Sequence, residues 1–359
     1  MVKSKLYLPG SSGCIFRPQI PCDESKNKKT HKKTHKKVTK LFIRKNKEYK
    51  IGQLVRKIPN HKEWTILWER VCKSPKYHEL IKNTEINKCL LTQNINPNSL
   101  PDNSRFTLYQ GLYGGLALEN YSKKFIKPKD FNSKSAFIKI FTKYFKLLHN
   151  IFLGLTMLDK YNICHEDINI RNILIRGGKS YIIDYDIAVI LDKELKNNIF
   201  LSNRMTEEFN NYRIYEIYPY EYIYYNLNKD LLLEEQKNIA LFQNRLNYYE
   251  IYEPIHHKLF NTDTDNLRFE LLEDKLNNNN KTDLYELMRK LDVYSVGMSF
   301  LILFIERCED FNIPIDSLIQ LFKTHELKHH MDLIRDMVVF DHRKRITADE
   351  AYERYLNLI

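Results

Sequence analysis

The start of the chain shows apolar runs of strand length separated by small or charged residues. Residues 6–16 predict two strands around a turn of small residues, Gly10-Ser11-Ser12-Gly13. Residues 38–43 predict a third strand that contains one lysine. Residues 46–58 predict a helix, because apolar residues recur there at spacings of three and four and Pro59 then stops the pattern.

Further along the chain, the apolar spacing is mainly that of helices. Residues 135–160 predict one long amphipathic helix. Two short apolar runs on either side of Gly177-Gly178 predict a β hairpin with the glycines at its turn. The segment that opens at residues 291–298 is apolar nearly all round, which is typical of a helix at the centre of a large domain. Asp292 at its start must then be satisfied by hydrogen bonds rather than by solvent.

Three stretches lack such a pattern. Residues 59–104 predict no defined element. Residues 106–118 contain Tyr113-Gly114-Gly115 between apolar runs, which indicates a linker between two lobes. Residues 222–284 are polar and include a run of four asparagines, so they predict an insertion of loops and short helices with some disorder.

Composition limits the class of protein. With 359 residues, 43% of them apolar, the chain can form one large two-lobed domain or two ordinary ones. It has no run of 18 apolar residues and no apolar stretch at its start, so we expect no transmembrane segment and no signal peptide. The six cysteines form no C-x-x-C pair, which predicts reduced thiols in an intracellular protein.

The formal net charge of +12 is concentrated in one run of the sequence. Residues Lys26–Lys40 contain eight lysines and two histidines and no acidic residue. Such a run can bind nucleic acid or an anionic membrane surface. It lacks the interleaved aromatic residues of a single-strand binding surface, and a solvated loop is the favoured interpretation.

The most informative residues form two short motifs. His165, Asp167 and Asn172 fit H-x-D-x-x-x-x-N, and Asp184 follows 17 residues after Asp167, directly before an aromatic residue. This spacing is typical of in-line phosphoryl transfer, in which Asp167 accepts the proton of an attacking hydroxyl. Asn172 and Asp184 are then the candidate ligands for the magnesium ions that bridge the nucleotide phosphates.

Two features nearer the N-terminus fit a nucleotide site. Gly10 and Gly13, with small residues between them, would let backbone N–H groups approach phosphate oxygens. On its own, such a glycine pair marks a hairpin more often than a nucleotide site. Lys40 on the third predicted strand and Glu48 on the inward face of the predicted helix are a candidate internal ion pair. Either residue taken alone is as readily a surface charge.

The order of these motifs resembles that of the eukaryotic-type protein kinase superfamily over nearly the whole chain. Three later motifs carry the resemblance beyond the catalytic segment. Pro219-Tyr220-Glu221 is similar to the end of the activation segment at 184–221, and residues 292–297 are similar to the motif of the central helix. Residues 340–350 are similar to D-P-x-x-R-x-T-x-x-E, with His342 at the proline position, and Arg345 would pair with Glu221.

The resemblance implies an α+β, two-lobed protein kinase fold. A small β-rich N-lobe would occupy about residues 1–112, and a larger, mainly α-helical C-lobe about 116–359, with the insertion at about 222–284. The resemblance also implies ATP and magnesium as cofactors and proteins as substrates.

The resemblance assigns a role to each matching residue. Lys40 would grip the α- and β-phosphates, Glu48 would hold Lys40, and Asp167 would orient and deprotonate the acceptor hydroxyl. Asn172 and Asp184 would bind the metal ions. The phosphate-covering loop would comprise Gly10, Ser11, Ser12, Gly13 and Ile15.

Several positions depart from the family pattern. Leu8 stands where the loop's first glycine would be, Glu166 replaces the arginine before the catalytic aspartate, and Asp186 replaces the D-F-G glycine. Asn169 replaces the lysine that is usual in serine/threonine kinases. Arg171 directly precedes the metal-binding asparagine, as in tyrosine kinases, and would neutralise the transferred phosphate. None of these changes removes a primary catalytic group.

The leading interpretation is an ATP- and magnesium-dependent kinase that phosphorylates serine or threonine hydroxyls of proteins. A tyrosine or dual-specificity kinase is one alternative, and a pseudokinase scaffold is another. An aminoglycoside-type kinase shares H-x-D-x-x-x-x-N but lacks the later motifs. The compact N-terminal segment, the short gap from Lys40 to Glu48 and the Y-G-G-L hinge resemble serine/threonine kinases of giant DNA viruses. That likeness implies an intracellular protein of the host cytoplasm or the virion.

Overall fold

The computed structural model describes residues 4–9, 13–23, 36–42, 47–191, 217–227, 230–233, 252–277 and 281–359. The chain divides into two compact units, unit 1 (Met1–Gly115) and unit 2 (Leu116–Ile359). The boundary falls at the Tyr113-Gly114-Gly115 segment, where the sequence indicates a linker. Unit 1 is built around an antiparallel sheet and unit 2 is mainly helical, so the predicted α+β class is confirmed.

The sheet of unit 1 has five strands. They are β1 (Lys5–Pro9), β2 (Gly13–Arg17), β3 (Lys37–Phe42), β4 (Arg70–Lys73) and β5 (Thr107–Leu112). Their spatial order is β1-β2-β3-β5-β4, and each neighbouring pair is antiparallel. The hairpin predicted over residues 6–16 and the strand predicted at 38–43 are therefore confirmed.

Helix α1 (Glu48–Val55) is shorter than the helix predicted over residues 46–58. After Val55 the chain turns more tightly, and the N–H groups of Lys57 and Ile58 donate to carbonyls three residues earlier. Of the apolar residues in this stretch, Ile51, Val55 and Ile58 are buried.

Residues 59–104, for which the sequence predicts no element, form several short elements. They hold β4 and three α-helices, α2 (His61–Trp64), α3 (Tyr77–Leu80) and α4 (Thr84–Thr92). Three of these four elements are only four residues long, so no periodic pattern reveals them. A buried cluster joins α3 and α4 to the sheet and includes Cys14, Phe16, Leu41, Tyr77, Ile86, Leu90 and Leu108.

Four of the six cysteines form disulfides, so the prediction that all are reduced thiols is wrong. Cys14 on β2 is bonded to Cys89 on α4, and Cys22 is bonded to Cys72 on β4. The partners are 75 and 50 residues apart in sequence, and only the packing of unit 1 brings them together. Both remaining cysteines, Cys164 and Cys308, are buried thiols in unit 2.

Reduction with dithiothreitol should therefore lower the free energy of unfolding of unit 1. Opening loops of this length removes a constraint on the unfolded chain worth about 4 kcal/mol per disulfide in the chain-entropy model. Denaturant unfolding with and without the reductant measures the difference. Thiol titration of the denatured protein should find two thiols before reduction and six after it, since two of the six cysteines are free. Six thiols without reductant would show that the disulfides do not form.

Most of unit 2 is helical. Its described helices are α5 (Leu118–Phe125), α6 (Lys134–Leu147), α7 (His149–Lys160), α8 (Tyr220–Asn226), α9 (Tyr252–Phe260), α10 (Thr264–Asn277), α11 (Lys281–Asp310), α12 (Ile315–Phe322), α13 (Lys328–Met337) and α14 (Ala348–Leu356). Its described strands are β6 (Leu116–Ala117), β7 (Ile163–Cys164), β8 (Ile173–Arg176), β9 (Lys179–Ile182) and β10 (Val189–Ile190).

Strands β8 and β9 form the hairpin that the sequence predicts. Gly177 and Gly178 occupy its turn with φ angles of 58° and 76°. A two-residue turn with positive φ at both positions matches the twist of the flanking strands, and glycine adopts it without a steric penalty. The hairpin begins directly after Asn172 of the proposed catalytic loop, and one residue separates its end from Asp184.

The single helix predicted over residues 135–160 is wrong, because the chain breaks at Leu148 into α6 and α7. Side chains from elsewhere in unit 2 make hydrogen bonds to backbone carbonyls at the end of α6. The Ser180 hydroxyl donates to the Leu147 carbonyl, and the Tyr355 hydroxyl lies 3.2 Å from the carbonyl oxygens of Phe145 and Lys146.

Helix α11 is the long central helix of unit 2. It has 30 residues, and its middle part, from Leu291 to Ile305, is buried throughout. The buried hydroxyls of Ser295 and Ser299 in this part donate to backbone carbonyls. The predicted burial is confirmed. Asp292 lies well inside the helix rather than at its start, which corrects the predicted boundary.

The described part of the predicted insertion at 222–284 contains helices α9 and α10, of nine and fourteen residues. An exposed ion pair joins Arg343 to Asp274 on α10. None of the helices in the described ranges is both long and apolar enough to cross a membrane, in agreement with the sequence.

Candidate active site

Lys40 and Glu48 form the ion pair that the sequence suggests. The Lys40 ammonium on β3 lies 3.0 Å from Oε2 of Glu48, the first residue of α1. Their side chains are only 5% and 4% exposed. A buried pair is stable only when further hydrogen bonds compensate for the loss of water.

Trp68 supplies such a bond, and the sequence does not single it out. Its indole N–H donates to the other carboxylate oxygen of Glu48, Oε1, at 2.5 Å. The aromatic rings of Phe42 and Trp68 also pack with Tyr109, the β5 residue paired with Lys40. Glu48 is thus fixed from two sides, and it fixes Lys40 in turn.

The predicted phosphate-covering loop is described only in part. Gly10, Ser11 and Ser12 lie outside the described residues. A Cβ atom at Gly13 would overlap the carbonyl oxygen of Leu41, so close packing of β2 on β3 is sufficient reason for a glycine there. Ile15 on β2 is half-buried and pairs with Lys40 in register, so both side chains emerge on the same face of the sheet.

His165 joins the two loops that carry the candidate acids of unit 2. Its Nε2 lies 2.9 Å from the carbonyl of Ile183, and its Nδ1 accepts from the backbone N–H of Asp167 at 3.2 Å. Burial lowers the pKa of His165 to about 4, so the ring is neutral at pH 7. A neutral ring with its proton on Nε2 satisfies both partners. His165 thereby holds the residue before Asp184 close to Asp167.

Asp167 is held by two side-chain amides. The Nδ2 of Asn169 donates to its Oδ1 at 2.7 Å, and the Nδ2 of Asn172 donates to its Oδ2, also at 2.7 Å. Donors on both oxygens fix the rotation of the carboxylate. Asn172 is also bonded through its backbone carbonyl to the N–H of Ile183, which again joins the loop of Asp184 to this one.

Two backbone positions flanking the site adopt the left-handed region. Glu166 has a φ of 63° and Asp184 a φ of 68°. Aspartate tolerates this region better than glutamate does, and residues held there occur often at active sites. The conformation at Glu166 is maintained by Asp292, whose carboxylate accepts from the backbone N–H groups of His165 at 2.6 Å and Glu166 at 3.0 Å. The predicted satisfaction of Asp292 by hydrogen bonds is therefore confirmed.

Two buried acids, Glu166 and Asp292, lie close to each other at the start of this loop. Burial raises the pKa of Asp292 to about 7; the Glu166 carboxylate also raises it, while the two N–H donors act in the opposite direction. The hydroxyl of Tyr222 on α8 donates to Oε1 of Glu166 at 3.3 Å. Glu166, which stands where the resembling family has an arginine, therefore connects the candidate catalytic loop to α8, at the end of the predicted activation segment.

Arg171 is the most exposed of the predicted site residues in the described part of the chain. Its side chain is 64% exposed, and its Nε lies 3.7 Å from Oε2 of Glu119 on α5. Such an exposed pair contributes little to stability. The guanidinium is consequently available to an anion near the loop.

Glu221 and Arg345 form a buried ion pair, as the motif comparison implies. Both side chains are fully buried, and the Arg345 guanidinium donates to Oε1 of Glu221. The other oxygen, Oε2, accepts from the backbone N–H of His342 at 2.6 Å. Asp341 lies beside this group but is paired with Arg343, so these acids form an ion-pair network rather than an evident metal site. Residues 192–216 of the predicted activation segment lie outside the described residues.

Comparisons with models of known protein families and with curated proteins find no match for this chain.

Proposed function

We propose that the protein is an ATP- and magnesium-dependent protein kinase that transfers the γ-phosphoryl group to serine or threonine hydroxyls. The observation that carries this proposal is the environment of Asp167. Amide donors hold both of its carboxylate oxygens, and two hydrogen bonds tie its loop to the residue before Asp184. A base, an amide oxygen and a second carboxylate on two adjoining loops suit in-line phosphoryl transfer.

In this proposal Asp167 orients the acceptor hydroxyl and accepts its proton. The amides of Asn169 and Asn172 bond one carboxylate oxygen each. A carboxylate oxygen has more than one lone pair, so an oxygen that accepts from an amide can also receive a hydroxyl proton from a substrate. Since the two amides fix the carboxylate, little reorganisation is needed when the substrate binds.

Asn172 and Asp184 suit a magnesium ion. The amide nitrogen of Asn172 faces Asp167, so its amide oxygen is directed elsewhere and can serve as a ligand. Asp184 offers carboxylate oxygens, and magnesium prefers oxygen ligands. When bound, magnesium would neutralise charge on the nucleotide phosphates.

Lys40 and Glu48 carry the role in unit 1 that the resemblance assigns to them. Lys40 would bind the α- and β-phosphates, and Glu48 would hold its ammonium in place. The buried 3.0 Å pair and the second bond from Trp68 to Glu48 support this role. A pseudokinase scaffold is the less favoured alternative, because Lys40, Asp167, Asn172 and Asp184 are all present.

Phosphate transfer from labelled ATP tests the proposal. Purified protein with γ-labelled ATP, magnesium and generic protein acceptors should transfer label to serine and threonine, as phosphoamino-acid analysis would show. Asp184→Asn is the matched control, because asparagine has the same size and tolerates the φ of 68° equally well. It should abolish transfer and also the magnesium-dependent part of the rise in melting temperature that ATP causes.

Two results would count against the proposal. Wild-type protein that transfers no label to any acceptor or to itself would overturn the kinase assignment. Label on tyrosine alone would replace the serine/threonine assignment and would support the exposed Arg171 as a tyrosine-kinase feature.

A further inference from the structure

We propose that Asn169 is a positioning residue for phosphoryl transfer, whose side-chain amide sets the orientation of Asp167. This inference rests on the proposed kinase function. The family that the sequence resembles has a lysine at this position in its serine/threonine members. Asparagine at this position differs from lysine because its side chain both donates to Asp167 and accepts from backbone N–H groups.

The two ends of the Asn169 amide have different partners. Its oxygen accepts from the backbone N–H groups of Arg171 at 2.9 Å and Asn172 at 3.3 Å. Its nitrogen donates to Oδ1 of Asp167 at 2.7 Å. Backbone N–H groups can only donate, so the oxygen must face them and the nitrogen must face Asp167. The orientation of the amide is therefore unambiguous.

The backbone on both sides of Asn169 is anchored independently. Ile168 and Ile170 are buried. The Ser299 hydroxyl on α11 donates to the carbonyl of Ile168 at 3.0 Å, and the N–H of Glu119 donates to the carbonyl of Ile170 at 3.0 Å. With its flanking residues fixed to two helices, Asn169 presents its amide nitrogen to Asp167 from a constant position.

The oxygen and the nitrogen of the Asn169 amide thus have different functions. The oxygen closes the turn that leads to Asn172, which is a common local role for asparagine and concerns the loop alone. The nitrogen, together with that of Asn172, fixes the two oxygens of Asp167. Without Asn169 the carboxylate loses this donor, and it is held less firmly in the orientation that faces the acceptor hydroxyl. Precise placement of reacting groups is a large part of phosphoryl-transfer catalysis.

Substitutions that remove either the donor or the acceptor of the Asn169 side chain, but not both, test the inference. Asn169→Asp and Asn169→Ser keep an oxygen for the turn. The aspartate has no donor for Asp167. The serine adds no charge, and its hydroxyl, on a side chain one bond shorter than that of asparagine, does not reach the position of the amide nitrogen. Asn169→Lys restores a donor, as in the resembling family, but removes the acceptor for the backbone N–H groups. Each variant is assayed for kcat, for the KM of ATP, and for melting temperature beside the wild type.

Variants that lack a donor to Asp167 should lose kcat, and the variant that lacks an acceptor for the backbone N–H groups should lose thermal stability. We expect kcat of Asn169→Asp and Asn169→Ser to fall about 10- to 100-fold with unchanged KM for ATP and unchanged melting temperature. Asn169→Lys should keep kcat within about threefold of the wild type and show a lower melting temperature.

The outcomes separate this inference from the proposed function. If the aspartate and serine variants have wild-type kcat, Asn169 only closes the turn and the inference is overturned. If kcat falls in all three variants together with the melting temperature, the loop as a whole has been damaged and the inference is overturned as well. A wild-type protein without phosphoryl transfer would instead refute the proposed function, and the inference with it.

Discussion

Replacing Asp167 with asparagine should lower kcat about a thousandfold, which corresponds to about 4 kcal/mol in the activation barrier. Asparagine has the size of aspartate but cannot accept a proton from the substrate hydroxyl. It also cannot accept from the amides of both Asn169 and Asn172, so one of those donors loses its partner. Steady-state transfer from labelled ATP measures the effect.

The fold and nucleotide binding should survive this change. Asp167 is only half-buried, and the anchors of its loop, His165 and Asp292, are unaffected. We therefore expect a melting temperature close to that of the wild type and the same stabilisation by ATP with magnesium. Asp349→Asn, on the exposed side of α14, is the control and should leave kcat unchanged. An Asp167→Asn protein that keeps more than about a tenth of wild-type kcat would show that Asp167 is not the base.

Replacing Arg345 with alanine should lower the free energy of unfolding of the protein by about 3–5 kcal/mol. The Glu221 carboxylate would remain fully buried without its cation. Three backbone carbonyls would also lose a hydrogen bond, because the guanidinium bonds those of Val339, Phe340 and Lys290. A buried acceptor without a partner loses its full hydration energy, which exceeds the net value of one hydrogen bond.

Denaturant unfolding of unit 2 measures this effect, and two further variants locate its cause. Arg335→Ala removes an arginine whose ion pairs are partly exposed, so it should cost less than about 1 kcal/mol. Adding Glu221→Ala to Arg345→Ala should cost much less than Glu221→Ala does alone, since the charges are coupled. Additive effects of the two substitutions would contradict a coupled buried pair.

Several features of the fold follow from the sequence because their causes are local. The hairpin around Gly177 and Gly178 needs positive φ at both positions, and adjacent glycines between apolar runs indicate that directly. The burial of α11 follows from an apolar pattern that leaves no polar face. Motif order also anticipated the pairing of Glu221 with Arg345, although the two residues are 124 positions apart.

The candidate site was predictable where each residue has a distinctive chemical type at a distinctive spacing. Asp167, Asn172 and Asp184 are such residues, and the structure places their loops together through His165 and Ile183. The positioning role that we propose for Asn169 was not visible in the sequence in the same way. In the sequence, Asn169 is only a departure from the pattern of the resembling family. The proposed role depends on the amide nitrogen, and not the oxygen, facing Asp167.

The sequence by itself determined the class of fold, the central buried helix, the hairpin before Asp184 and the identity of the candidate acids, because these depend on periodicity, turn chemistry and motif spacing. Only the tertiary structure decided the disulfides, the support of Glu48 by Trp68 and the break at Leu148. The physical reason is the same for all three. Each depends on side chains that come from distant positions and meet only once the elements have packed, so no local pattern in the chain records them.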